Sequence, residues 1–319
     1  MAENSNIEWT DHTFNPWIGC QKVGPGCDNC YAETWDARGL QQSESRWGPH
    51  AIRTRTSAAN WRKPLAWDRA AAAEGIRKRV FCASLADVFD NHPSIQQEWR
   101  DDLWALIEAT PHLDWMLLTK RPSNIANMLP VPFDFDKQYP NVWLGCTVVN
   151  QAEADRDIPK LLAVDAAVRF LSMEPLQGPV DLTQSVRGIL RYPEYVNIKL
   201  QLVIVGGESG PKARPMHPDW VRGLRDQCSK YHVAFHFKQW GEWGPCDHMG
   251  DEIDGAPFGC FNDAGEWCGK VSEDFANAGR QIMFRVGKKA AGRTLDGRTW
   301  DETPTHLSTS EAELLGDEK

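Results

Sequence analysis

Three cysteines within eleven residues carry the clearest chemistry in the chain. Cys20, Cys27 and Cys30 stand as C-x6-C-x2-C in the stretch WIGCQKVGPGCDNCY. A C-x2-C pair can place two sulfurs on one metal or one cluster, and Gly24, Pro25 and Gly26 let the backbone turn tightly between the first two thiols. Two chemistries suit a three-thiol set. A structural zinc site needs four ligands, so His12 or a distant Cys or His would complete it. A four-iron four-sulfur (4Fe-4S) cluster on three thiolates keeps one iron open, and an open iron can bind and cleave S-adenosylmethionine. Spacing alone does not separate the two.

A loop of this kind needs rigid elements on both sides. Six short apolar runs recur downstream: Val80–Ser84, Trp115–Thr119, Val142–Thr147, Val168–Met173, Leu202–Gly207 and Val233–Phe237, with a shorter one near Phe14–Ile18. Nearly continuous apolarity over five or six residues predicts strands buried on both faces, as in parallel sheets. Helical patterns lie between them. Ser94 and Gln97 read as a capping box opening a helix with Ile95, Trp99, Leu103, Leu106 and Ile107 on one face. Asn150 with Glu153 opens another, reaching about Val164 and broken or restarted at Pro159. Pro218 opens a third, containing Trp220, Val221, Leu224 and Cys228. About seven such units predict an α/β fold, a partial or full (β/α) TIM-like barrel of parallel strands over residues 1–242. The lack of a G-x-G-x-x-G after the first strand weakens a dinucleotide-binding sheet. After Gly241 the pattern is lost, and residues 243–319 read as an irregular C-terminal extension with an acidic tail.

The strands end in polar residues: Ser84 and Asp87, Thr119 with Lys120 and Arg121, Thr147, Glu174, Glu208, then Lys238 and Gln239. In a parallel barrel all of these lie on the C-terminal rim, where such enzymes place their sites. One polar strand end reflects a wet loop; five or six together favour a site. Cys82 and Cys146 sit inside apolar strands and read as core thiols, Cys228 as packed, and His236 as a satisfied core histidine. Cys246, His248, Cys260 and Cys268 are spaced too loosely to argue a second metal site. Trp240 and Trp243 read as core anchors, or as stacking surfaces for a base beside Lys238 and Gln239.

The chain has 319 residues, 41% apolar and 25% charged. That is ordinary globular usage and excludes disordered, collagen-like and disulfide-scaffold chains. No run of 18 apolar residues exists, so no spanning helix is expected. The N-terminus lacks the basic start and apolar stretch of a secretory signal, and nine thiols, an odd number, suit a reducing cytosol. A cytoplasmic location without membrane attachment is expected. The net charge of −9 argues against a protein that coats nucleic acid. Local charge differs: residues 53–79 carry a net +6, residues 280–298 a net +5 and the last 19 residues a net −5. The basic segments are solvated faces or surfaces for a phosphate-bearing partner.

Eight stretches spread from residue 13 to residue 304 carry a family resemblance. They are Thr13–Tyr31 (TFNPWIGCQKVGPGCDNCY), Val80–Phe89 (VFCASLADVF), Leu117–Pro122 (LLTKRP), Asn141–Gln151 (NVWLGCTVVNQ), Phe170–Val180 (FLSMEPLQGPV), Val203–Pro215 (VIVGGESGPKARP), Phe235–Gly241 (FHFKQWG) and Lys288–Pro304 (KKAAGRTLDGRTWDETP). Together they resemble the phage- and prophage-associated three-cysteine-motif family, which is similar to divergent radical S-adenosylmethionine enzymes. The first cysteine interval is three residues longer than the usual C-x3-C-x2-C. The resemblance implies a 4Fe-4S cluster on Cys20, Cys27 and Cys30, in the loop after the first strand, with S-adenosylmethionine lying across the rim. It implies Lys120 or Arg121 for the methionine carboxylate and Ser84 or Asp87 for the amino group. Thr147, Glu174 and Glu208 are implied for the ribose hydroxyls, and Gly206 and Gly207 for close backbone approach to the cofactor. The bland alternatives are a surface pair at Lys120 and Arg121, and carboxylates at Glu174 and Glu208 paired to Arg169, Arg214 or another arginine.

The implied activity is generation of a 5′-deoxyadenosyl radical, with an electron donor such as flavodoxin or ferredoxin, in a host cytosol if phage-encoded. A likeness to the spore photoproduct lyase branch adds a nucleic acid or nucleotide as substrate. Two rivals stand beside this reading. One is a zinc-stapled barrel that binds nucleic acid or a protein partner without catalysis. The other is an ordinary barrel enzyme acting on a phosphorylated metabolite, its cysteines structural.

Overall fold

The computed structural model describes residues 3–39, 45–187, 199–245, 255–269 and 280–304. A short strand, β1 (His12–Thr13), opens the main sheet, and β2 (Trp17–Ile18) and β3 (Thr54–Arg55) form an antiparallel pair. Strand and helix then alternate through β4 (Lys78–Cys82), β5 (Leu113–Thr119), β6 (Val142–Thr147), β7 (Val168–Met173), β8 (Leu202–Gly206) and β9 (Ala234–Gln239). The strands pair in the order β1-β4-β5-β6-β7-β8-β9, every pairing parallel. Parallel neighbours joined by helical crossovers curl into a partial α/β barrel. Among the described residues β1 and β9 do not pair, so the barrel is open between them.

Continuous apolar runs are required because both faces of the sheet are covered. Side chains alternate along a strand, so each strand serves two cores. Val80, Leu117, Leu144, Leu171, Val203 and Phe235 pack against helices that supply Leu103, Ile107, Leu161, Val221 and Leu224. The other set, Phe81, Met116, Trp143, Phe170 and Ile204, meets Trp9 in the hollow of the sheet as a separate apolar plug. Counting on by two from the plug reaches Thr147, Ser172, Glu174 and Lys238 at the strand ends. The period of the strand thus sets a polar layer on an apolar floor.

The helices follow their caps in two cases of three. Asn150 accepts from the Glu153 amide at 3.0 Å and opens the helix Gln151–Leu162. Pro159 lies inside that helix without ending it. The carbonyl it leaves without an intrahelical partner belongs to Asp155, an exposed residue. Pro218 opens the helix Pro218–Lys230 as expected. The capping box at Ser94 is corrected. Its hydroxyl accepts from the Arg53 amide at 2.9 Å, and the helix Gln97–Glu108 starts after Gln96 with no side-chain cap.

The extension is more ordered than its composition suggests. β10 (Trp243–Pro245), β11 (Phe258–Phe261) and β12 (Gln281–Arg285) form an antiparallel sheet in the order β10-β12-β11. Residues 292–302 then return along the open edge of β9. The Phe237 amide donates to the Trp300 carbonyl at 2.9 Å, and the Trp240 amide to that of Gly292 at 3.1 Å. Trp243, Met283 and Leu295 join the outer core. An uncovered edge strand invites pairing with another chain, and this return segment prevents it. Cys246, His248 and the tail from residue 305 lie outside the described residues. Among the described residues no helix is long and apolar enough to cross a membrane.

Replacing Asn150 with Ala removes the cap of the helix whose first turn abuts the cysteine loop. Urea unfolding should show a loss of about 1 kcal/mol. An unchanged midpoint would mean that the cap contributes nothing to stability.

Candidate functional site

The cysteine loop leaves β2, passes Cys20, makes a 3-10 turn at Pro25–Cys27 and enters the helix Tyr31–Gly39 directly after Cys30. Its glycines are there for space as well as for turning. A Cβ on Gly24 would lie 2.5 Å from a Glu153 carboxylate oxygen, and one on Gly26 would lie 2.8 Å from Val149 Cγ1. The loop therefore lies flat on the β6 connection. From the other side the β8 connection grips it. Arg214 Nη2 donates to the Pro25 carbonyl at 3.2 Å and Nη1 to Asp28 Oδ2 at 3.0 Å. Glu208 holds that guanidinium, accepting from Nε at 2.9 Å and Nη2 at 2.7 Å, and it also accepts from the Arg214 amide at 2.8 Å. Burial pushes the Glu208 carboxyl up, but the bonds from Arg214 outweigh it and hold its pKa below the ordinary 4.5. Asn29 Nδ2 adds a bond to the Lys212 carbonyl at 3.1 Å.

Beneath Cys20 lies a buried charge network. Asp87 accepts from the Phe89 amide, the Thr119 hydroxyl, the Lys120 amide and Arg121 Nη1, at 2.8 to 3.1 Å. Arg121 also donates to the Gln21 carbonyl at 3.2 Å and approaches Cys20 Sγ at 3.6 Å. Burial pushes the Cys20 thiol up, Asp87 and Asp90 push the same way, and Arg121 opposes them; the balance is about 11. Asp90 in turn binds Arg53 at 3.1 Å and accepts from Arg100 through its carbonyl.

Cys20, Cys27 and Cys30 face one cavity of about 390 Å³, within the size range of cofactor sites. All three are free thiols, Cys27 buried and the others half-buried. The cavity floor is the apolar plug at Trp9, Phe81 and Leu118. Lys120 Nζ reaches the Thr147 hydroxyl at 3.4 Å and has no carboxylate partner among the described residues. Glu174 Oε2 binds Lys238 Nζ, whereas Glu174 Oε1 is buried without a hydrogen bond. Gln239 Oε1 is likewise buried and unsatisfied, although its Nε2 donates to Ser209 Oγ at 3.0 Å. Orphaned buried acceptors are costly, so their presence on one cavity wall fits a ligand that brings N–H or O–H donors.

Most of the residues named from sequence meet here. Ser84, Asp87, Lys120, Arg121, Thr147, Glu174, Gly207 and Glu208 line the cavity with the three cysteines. Their employment varies. The oxygens of Asp87 are taken by Thr119, Lys120 and Arg121, and Glu208 is occupied by Arg214. Ser84 accepts from Asn15 at 3.0 Å on its hydroxyl and from the Tyr31 hydroxyl at 2.7 Å on its carbonyl. Gly206 lies off the cavity, under the Glu174 side chain. Gly207 is glycine because a Cβ there would lie 1.8 Å from the Trp240 carbonyl oxygen.

Trp240 and Trp243 are buried anchors. Their indole N–H groups each donate at 2.8 Å, to the Thr294 and Ala213 carbonyls, which bears out the core-anchor reading over the base-stacking alternative. His236 is buried, but neither ring nitrogen makes a hydrogen bond, and burial pushes its pKa down to about 4. Cys82, Cys146 and Cys228 are buried thiols; Cys260 is buried in β11 and Cys268 exposed.

Sequence reasoning missed Ser172, an inward residue two beyond Phe170 that a period-two count would have found. It also missed Trp47, Asp90 and Arg100, for which nothing local gives a signal. Part of each basic segment is taken up by ion pairs: Arg53 with Asp90, Arg55 with Asp102, Arg77 with Asp114, and Arg293 with Asp301. Lys288 is the member of the later segment that reaches the cavity.

The family described as "protein of unknown function (DUF5131)" matches residues 4–304. No curated protein and no solved structure matches the chain.

The clamp on the cysteine loop has a pH signature. Glu208 has a lowered pKa, so its contribution is complete above pH 4.5 and is lost as pH falls through its folded-state value. Amide exchange of residues 24–30, corrected for intrinsic rates, should stay protected at neutral pH and accelerate in acid. Arg214→Ala should raise it about tenfold or more at pH 7, the scale of a lost charge-assisted bond. Equal protection in the variant would show that the loop is held without Arg214.

Proposed function

We propose that this chain, which belongs to the DUF5131 family, is a radical S-adenosylmethionine enzyme whose cluster is held by Cys20, Cys27 and Cys30. The observation that carries the reading is three free thiols facing one cavity at the C-terminal rim of a parallel half-barrel. The donor set fits a cluster better than a single ion. A structural zinc site needs a fourth protein ligand, whereas a cluster that keeps one iron open needs three. Three thiolates on a four-iron cluster each take a different iron and stand around it. When bound, the reduced cluster with S-adenosylmethionine supplies a 5′-deoxyadenosyl radical that abstracts hydrogen from a substrate.

The chain's own groups do the positioning. Lys120, without a carboxylate partner among the described residues, is the cation for the methionine carboxylate. Arg121, locked to Asp87, is left to the cysteine loop. Thr147 and the free oxygen of Glu174 supply acceptors for hydroxyl or amino donors, and Gln239 Oε1 supplies another. The Trp9, Phe81 and Leu118 floor keeps bulk water from below. The substrate we propose is a nucleic acid or nucleotide, on the strength of Lys288 at the same cavity. An external one-electron donor such as flavodoxin or ferredoxin is required.

Anaerobic reconstitution with iron and sulfide should give the thiolate-to-iron absorbance, and dithionite with S-adenosylmethionine should release 5′-deoxyadenosine. Cys27→Ala should abolish cluster binding. Zinc at one equivalent with no cluster would refute the enzyme reading in favour of the stapled barrel. Lys120→Ala should weaken S-adenosylmethionine binding about 10- to 100-fold, the scale of a charged hydrogen bond; an unchanged affinity would remove Lys120 from the site. Affinity for a single-stranded oligonucleotide should fall steeply with salt, and a flat salt response would contradict phosphate contact.

A further inference from the structure

The network beneath Cys20 is built on buried arginines. Arg53, Arg100 and Arg121 face two carboxylates, Asp87 and Asp90, and all five are at least nine-tenths buried. Arg53 is committed to Asp90, with Nε and Nη2 both 3.1 Å from Oδ2. Arg100 is committed to the Asp90 carbonyl. Arg121 lies between Asp87 at 2.8 Å and Asp90 at 3.6 Å, and its Nη1 is also 3.6 Å from Cys20 Sγ. Of the three arginines, Arg121 is the one whose guanidinium also reaches a sulfur. Among the described residues no arginine hydrogen-bonds Cys27, in the 3-10 turn, or Cys30, which precedes the helix Tyr31–Gly39. A buried cation is stable where a negative charge completes it, and water is not there to do so.

We infer that Arg121 is a redox-positioning residue. Its guanidinium, held by Asp87 and Asp90, hydrogen-bonds the Cys20 sulfur and stabilises the extra electron of the reduced cluster. This rests on the cluster reading above. Hydrogen bonds to ligating sulfur and local net charge are among the factors that set cluster potentials. The step is a one-electron transfer from an external low-potential donor to the cluster. No proton moves and no bond of the chain is made or broken. Asp87 and Asp90 act through Arg121, so Asp87 has a positioning role and is not an acceptor for the cofactor's amino group.

The test is a redox titration of the reconstituted cluster, followed by electron paramagnetic resonance with dithionite or titanium(III) citrate as reductant. Arg121→Gln should move the midpoint to more negative potential by about 59 mV or more, a tenfold change in the reduced-to-oxidised ratio for one electron. Arg121→Lys, which keeps the charge but loses the planar fork, should fall between that variant and the parent. Asp90→Asn should shift the midpoint the opposite way, because it removes a buried negative charge without touching the sulfur. Opposite signs in the two neutralising variants exclude a general loosening of the fold as the cause. Equal midpoints in parent and variants would overturn the inference and leave the cluster reading intact. Loss of the cluster from both Arg121→Gln and Asp90→Asn would also overturn it, making Arg121 a strut for the loop. A parent that takes up no cluster would instead refute the reading on which the inference rests.

Discussion

The buried carboxylate of Asp87 is the point through which the site is tied to the sheet. An ionised carboxylate inside a protein is tolerated only when its lone pairs are filled, and this one takes donors from the β4 connection and from the end of β5. That satisfaction fixes where Thr119 ends its strand and where Lys120 and Arg121 point afterwards. Lys120 is sent into the cavity and Arg121 under the cysteine loop. Two adjacent basic residues thereby acquire different tasks, a distinction that their sequence does not contain.

The curl of the sheet supplies the second constraint. A parallel sheet covered by helices on one face has to fill its hollow with something. Here large side chains fill the lower part, with Phe170 lying where a side chain at Gly145 would otherwise be. The upper part is left to Thr147, Ser172, Glu174 and Lys238. The cavity is thus the unfilled top of a packed core. The cysteine loop closes one side of it, lying flat on the β6 connection because residues 24 and 26 have no side chains. Arg214 and Glu208 press it from the β8 side. The open edge of the half-barrel is covered by residues 292–302, so the extension belongs to the architecture of the sheet.

Charge is used chiefly inside the molecule. The net −9 and the basic segments suggested surfaces for binding, yet most of those arginines are turned onto acids of neighbouring elements. Among the described residues, Lys120 and Lys288 stand at the cavity without a carboxylate partner. Long-range attraction of a polyanion is weak in such a chain. Recognition of phosphate would be local, at the mouth of the site.

The sequence by itself determined the elements. Continuous apolar runs specify doubly buried strands, and the observed bounds of β6 and β7 coincide with the runs read at Val142–Thr147 and Val168–Met173. Their order specifies parallel neighbours, and polar residues just past each run specify the rim. The three-cysteine spacing specified a thiol-lined loop. Short strands of the extension escaped notice because three to five residues among glycines leave no periodicity to count. Only the tertiary structure decided which rim residues are free and which are occupied. Asp87, Arg121 and Glu208 are committed to partners, while Lys120, Glu174 Oε1 and Gln239 Oε1 face the cavity with capacity to spare. That division depends on contacts between residues as far apart as Cys20 and Arg121, or Pro25 and Arg214. Electrostatic and hydrogen-bond partners are chosen by distance in space, which residue type and local spacing do not encode.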